Sequence, residues 1–302
     1  MITPTPYDAL PAGLLAELEA GGLDPRAVHD HVLQALAEDV PTEDVTSVAT
    51  IAADARAAGD FGAREAGTVA GLGIAALVFH LVLGDDVEVS DRLPDGTRVR
   101  PGDVVMRVAG PARGLLTAER TALNYASHLS GVATATAAWV DALEGTRAEV
   151  LDTRKTLPTY RALQKYAVRC GGGRNHRTSL SDRAMVKDNH VVAAGGVVPA
   201  YRAVRAAYPD LRVEVEVTDL DQLRELLDAG CEEILLDNMP TEVMAEAVRI
   251  TAGRARLEAS GGLTFDRARE VAETGVDLIS VGALTHSVDV FDLGLDLREE
   301  ED

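Results

Sequence analysis

With 302 residues, 46% apolar and 26% charged, the chain has room for a sizeable core, and its composition excludes a disordered or collagen-like protein. No apolar run reaches membrane-spanning length, MITPTPYDALPAGL lacks a basic and apolar leader, and Cys170 and Cys231 are too few for a disulfide framework, so a reduced, cytoplasmic protein is expected. A net charge of −20 disfavours general nucleic-acid binding.

Residues 7–37 are expected to form two short helices broken at Gly21-Gly22, with Asp24 and Pro25 as cap and first-turn proline of the second. Residues 38–47 read as a polar loop. Residues 51–110 read as a small α+β unit, with strand-like runs near 68–70, 87–89 and 104–108 and a helix over 71–83. Leu115, Leu116, Leu123, Leu129, Trp139 and Val140 mark a long helix over 115–143. Apolar runs then recur at 148–151, 184–187, 212–217, 233–236, 256–259 and 277–281, with helical patterns at 219–229, 241–251 and 265–274. That alternation indicates βα units and a parallel sheet. Six strands with no G-x-G-x-x-G opening favour a barrel over a dinucleotide-binding sheet.

Charge is concentrated in one place. Residues 152–187 carry nine basic side chains against two acidic ones, and they include all three lysines, Lys155, Lys165 and Lys187. Arg161, Lys165 and Arg169 have helical spacing and read as a solvated face. Arg154, Lys155, Arg177 and Lys187 instead flank strand-like runs or the Gly171-Gly172-Gly173 cluster.

Each predicted barrel strand ends in polar or small residues: Asp152-Thr153-Arg154-Lys155, Lys187-Asp188-Asn189-His190, Glu214 and Glu216, Asp237-Asn238, Ser260-Gly261-Gly262 and Ser280-Val281-Gly282. In a (β/α) barrel these ends converge on one mouth. The last two let backbone N–H groups approach an anion, and barrels commonly bind phosphate there. Alternation in RVEVEV points Glu214 and Glu216 inward if the valines pack outward. Glu216 and Asp237 suit a ribose diol or a magnesium ion. The glycine cluster and neighbouring His176 and Arg177 suit a carboxylate, which arginine grips bidentately. A Schiff-base aldolase using Lys155 or Lys187 fits less well among so many arginines, and a phosphate-sensing module would show no turnover.

AREAGTVAGL (63–72), AERTALNYASHLSGVATAT (118–136), the block 151–190, VEVEV (213–217), ILLDNM (234–239), LEASGGL (257–263) and ISVGALTHS (279–287) together resemble the quinolinate phosphoribosyltransferase family. The resemblance implies an α/β chain: a C-terminal open (β/α) barrel of TIM type over 118–288, preceded by a smaller α+β sandwich domain over 1–117 that the tail 289–302 rejoins. It implies phosphoribosyl transfer from phosphoribosyl pyrophosphate to quinolinate with decarboxylation, with Mg2+ as cofactor. It implies quinolinate binding by Arg120, Thr153, Arg154, His176, Arg177 and Lys187. Lys155, Glu216 and Asp237 would be catalytic and hold phosphoribosyl pyrophosphate, the two acids also serving Mg2+. Ser260, Gly261, Gly262, Ser280, Val281 and Gly282 would cradle phosphate. A homodimer is implied, with Arg120 reaching the neighbouring subunit's site, and neither nucleic acid nor membrane is a partner. Glu43 stands where the family's early loop usually has glycine.

Overall fold

The structure is a computed structural model that describes residues 3–299. Its contacts divide the chain into two compact units: Met1–Ala135 with Ala162–Gly172 and Val288–Asp302, and Thr136–Arg161 with Gly173–Ser287. The sequence-derived boundary at 117/118 falls inside one continuous helix, and residues 118–135 and 162–172 lie in the first unit.

In the first unit, α1 (Ala12–Ala20) and α2 (Pro25–Asp39) break at Gly21-Gly22 as expected. Asp24 caps α2, accepting the N–H groups of Arg26 and Ala27 at 2.9 and 3.3 Å. Part of the expected polar loop is helical: Asp44 caps α3 (Val45–Thr50) by accepting the Ser47 N–H at 3.0 Å. β1 (Arg56–Ala63) escapes the sequence reading because RAAGDFGA is rich in alanine and glycine, poor strand formers. β2 (Gly67–Thr68), α4 (Leu72–Leu83), β3 (Glu88–Ser90), β4 (Arg98–Val99), β5 (Val104–Pro111) and α5 (Ala112–Ala142) follow. The C-terminal strand Leu293–Glu299 pairs antiparallel with β1, giving a sheet ordered C-terminal strand, β1, β5, β3. Phe61 on β1 meets Phe79 on α4 edge to face, with ring centroids 5.7 Å apart, which seats the sheet on that helix. Half-buried Asp95 accepts the Gly71 and Leu72 N–H groups that open α4, at 2.7 and 3.1 Å. α6 (Arg161–Cys170) corrects one expectation: Lys165 is 2% exposed, not part of a solvated face, because from Ala162 onward the helix is packed into the first unit.

The second unit carries β6 (Glu149–Leu151), β7 (Ala184–Val186), β8 (Val213–Val217), β9 (Glu233–Asp237), β10 (Arg256–Ser260) and β11 (Leu278–Ser280). They form one parallel sheet in the order β6-β11-β10-β9-β8-β7. Its helices are α7 (Asp188–Ala194), α8 (Val197–Ala207), α9 (Leu220–Asp228), α10 (Thr241–Thr251), α11 (Ala268–Glu273) and α12 (Ala283–His286). β6 and β7 end the sheet without pairing to each other, so the barrel is open. The free side of β6 takes a single parallel bridge, Leu151 to Arg174. The valines of RVEVEV pack as expected, Val215 and Val217 being 0% exposed, as are Ile234, Leu236 and Ile279 on neighbouring strands. Among the described residues no helix is long and apolar enough to cross a membrane.

Candidate active site

The C-terminal ends of all six barrel strands meet around a cavity of about 690 Å3. Thr153, Arg154 and Lys155 come from the β6 end, His176 and Arg177 from the glycine loop, and Lys187 from the β7 end. Glu216, Asp237, Ser260–Gly262 and Ser280–Gly282 complete the lining. Every residue expected at the site from the sequence therefore lines one cavity, except Arg120, which is exposed on α5 in the first unit.

The cationic side begins at Asp152, which is fully buried. Its carboxylate accepts the His176 backbone N–H at 2.8 Å and the Asn175 side-chain amide at 2.5 Å. Those bonds fasten the glycine loop to the end of β6 and hold His176 and Arg177 beside Arg154. Asp182 shapes the next turn, accepting N–H and O–H groups from both Thr178 and Ser179 at 2.6–3.0 Å. Burial, and then the charge of Arg154 beside it, pull the Arg177 pKa below its ordinary value. The Arg154 Nε is buried without a hydrogen-bond partner. Crowded cations and an unmatched donor are the features of a site awaiting an anion.

Opposite them, Lys187 Nζ bonds Glu216 Oε2 at 2.9 Å, and Asp237 accepts from the Asn238 amide at 2.9 Å. The small-residue turns are sterically required. Gly261 has φ +89°, and a Cβ there would run into the Asn238 side chain. A Cβ on Gly282 would come 2.9 Å from the Lys155 side chain. The Lys155 carbonyl is fixed in turn by the Thr285 hydroxyl at 2.7 Å.

Beneath the cavity, His176 Nε2 donates to Glu214 Oε2 at 2.9 Å and lies 3.5 Å from Glu258 Oε2. Burial opposes the imidazolium, but the hydrogen bond to Glu214 and the neighbouring carboxylates of Glu214 and Glu258 outweigh it and lift the pKa to about 9. The Arg177 N–H approaches His176 Nδ1 at 2.7 Å, a bond made by the neutral ring. The stronger carboxylate field decides the direction, so the ring charges above its ordinary 6.5. Arg183 joins Glu214, at 3.5 Å, to Glu233, at 2.5 Å.

A family model for the quinolinate phosphoribosyl transferase C-terminal domain matches residues 132–296, and one for its N-terminal domain matches residues 44–130. The chain belongs to the quinolinate phosphoribosyltransferase family. It is 52% identical over 276 residues to a nicotinate-nucleotide pyrophosphorylase (carboxylating) of Mycobacterium leprae, covering 90% of this chain and 97% of that one. It is 39% identical over 261 residues to a probable enzyme of the same name from Bacillus subtilis, covering 86% and 90%. The crystal structure of NadC from Streptococcus pyogenes superposes with a TM-score of 0.89 at 41% identity, covering 92% and 99%.

Beyond the site residues expected from the sequence, the cavity adds Glu258, Met185, Leu235, Asn238, Leu263, Ala283 and His286. Period-two alternation in RLEAS would have found Glu258, since it places Glu258 and Ser260 inward between Leu257 and Ala259. The sequence assigns no role to His286 within ISVGALTHS, and no sequence signal marks the anchoring role of Asp152.

Proposed function

We propose that this chain transfers the phosphoribosyl group of phosphoribosyl pyrophosphate to the ring nitrogen of quinolinate, with loss of the 2-carboxylate, yielding nicotinate mononucleotide, pyrophosphate and CO2. The observation that carries the reading is a single cavity with cations along one side and a glycine–serine cradle along the other, in a chain of this family.

Quinolinate is a dianion. Arg154, Arg177 and Lys187, with Thr153 and His176 beside them, supply the charge to bind its carboxylates and aim the ring nitrogen at the anomeric carbon. Ser260–Gly262 and Ser280–Gly282 offer backbone N–H groups to phosphate oxygens. The anomeric centre gains oxocarbenium character as pyrophosphate leaves, and Lys155 stabilises the departing charge. The ring nitrogen is the nucleophile, so no side chain forms a covalent intermediate. Once ribosylated, the cationic ring accepts the electron pair left by CO2, and a proton then takes the vacated carbon.

Mg2+ fits this donor set. It favours one or two carboxylates combined with substrate phosphates, and Glu216 and Asp237 face the cradle from adjacent strands. When bound it would neutralise pyrophosphate charge. Arg120 would complete the quinolinate clamp of a neighbouring subunit in a homodimer, and the enzyme would work in the cytoplasm.

The test is CO2 release from carboxyl-labelled quinolinate. Release should require phosphoribosyl pyrophosphate and match pyrophosphate mole for mole. A folded protein releasing neither product refutes the reading.

A further inference from the structure

Glu258 is an inward-facing carboxylate of the second unit for which the reaction has found no use. It is 1% exposed, and neither of its oxygens has a hydrogen-bond partner. The His176 Nε2 donor is 3.5 Å away and already bonded to Glu214 at 2.9 Å. The ligand atoms of Glu214, Glu258 and His176 all lie within 4.8 Å of one another. Two carboxylates therefore share one imidazole N–H, and the geometry gives that proton to Glu214.

A buried carboxylate without donors is costly, and a second negative charge within a few ångströms raises the cost. The His176 imidazolium, 3.5 Å away, offsets part of that cost, but less than burial and the Glu214 charge impose. Arg183 is bonded to Glu233 and reaches Glu214, not Glu258. From β11, Ser280 offers only a hydroxyl. Nε2 carries one hydrogen in either charge state of His176, and Glu214 takes it in both. Burial and the Glu214 charge push the Glu258 pKa up.

We propose that Glu258 is a protonated carboxylic acid at neutral pH, and that its ionisation adds the negative charge that drives a dianionic substrate from the cavity. The second part rests on the functional reading above. Neutral Glu258 keeps the floor beneath the clamp from opposing the charge of the ring carboxylates. It also leaves His176 oriented by Glu214 alone.

Infrared spectroscopy of the ligand-free protein, grown with carboxyl-labelled glutamate, tests the protonation. A buried protonated carboxyl band that shifts with the label should be present near neutral pH and absent in Glu258→Gln. The glutamate label separates it from Asp95, whose pKa is also raised by burial. In turnover, wild-type KM for quinolinate should climb about tenfold per pH unit at its alkaline limb while kcat holds. Glu258→Gln should keep the neutral-pH KM within about threefold and move that limb up by at least about one pH unit.

Absence of the labelled band in the wild type overturns the proposal, whether or not the variant folds. So does a KM raised about tenfold in a folded Glu258→Gln protein at neutral pH. A zinc ion retained in stoichiometric amount by the wild type and lost in that variant also overturns it, since the three side chains would then hold metal in place of protons. Failure to turn over quinolinate at all refutes the functional reading and the substrate arm, and the band still decides the protonation.

Discussion

Replacing Asp152 isolates the contact that builds the cationic half of the cavity. The carboxylate makes two buried, charge-assisted bonds, to the His176 N–H at 2.8 Å and the Asn175 amide at 2.5 Å. Each is worth about 1.5–3 kcal/mol. Asp152→Asn keeps an acceptor for the His176 N–H but sets its own NH2 against that of Asn175, so it should cost about 1.5–3 kcal/mol. Asp152→Ala abandons both donors and should cost about 3–6 kcal/mol, a large part of the roughly 5–15 kcal/mol that stabilises a typical domain. Trp139 is the chain's single tryptophan and packs against Phe265 within the second unit, so its fluorescence during urea unfolding reports that unit by itself. Because Asp152 holds the loop that carries His176 and Arg177 of the quinolinate clamp, the Asn variant should raise the quinolinate KM about tenfold and leave the phosphoribosyl pyrophosphate KM within about twofold. A wild-type urea midpoint together with an unchanged quinolinate KM would show that the glycine loop holds its place without this carboxylate.

Three further outcomes are expected. A His176 pKa lifted from 6.5 to about 9 gives stability that is complete below about pH 6.5 and is lost as pH rises through about 9. The unfolding free energy of wild type minus that of His176→Gln should accordingly shrink by on the order of 2–3 kcal/mol across that window, and a flat difference would refute the charged ring. Gly261→Ala forces an L-residue to φ +89° against Asn238, so stability should fall by about 1–3 kcal/mol and phosphoribosyl pyrophosphate affinity by about tenfold; calorimetry and substrate titration check both. If Arg120 serves a neighbouring subunit, inactive Arg120→Ala and Lys187→Ala homodimers, mixed after dissociation, should recover toward about a quarter of wild-type activity, since about half the dimers are mixed and each has one intact site. No recovery with heterodimers present by mass spectrometry would place Arg120 outside any shared site.

Much of the barrel was legible in local pattern. From 212 to 281 the apolar period alternates between two and about 3.6, and β8, β9, β10 and β11 with their helices lie where that alternation puts them. The strand-end residues could be gathered into one mouth before any contact was known, because parallel βα units send all their C-terminal ends to the same face. Local pattern misled where tertiary packing overrode it. The Ala- and Gly-rich β1 is a strand because β5 and the C-terminal strand flank it on both sides. Lys165 has the spacing of a solvated face and is buried by the packing of α6 within the first unit. Pairings distant along the chain were out of reach altogether. Asp152 finds the glycine loop, and Glu214 and Glu258 share His176, only because the strand order β6-β11-β10-β9-β8-β7 folds these positions inward around one interior. Side-chain alternation tells which face a residue takes, but which charges meet across that interior depends on sheet order and register, and neither is written in local periodicity.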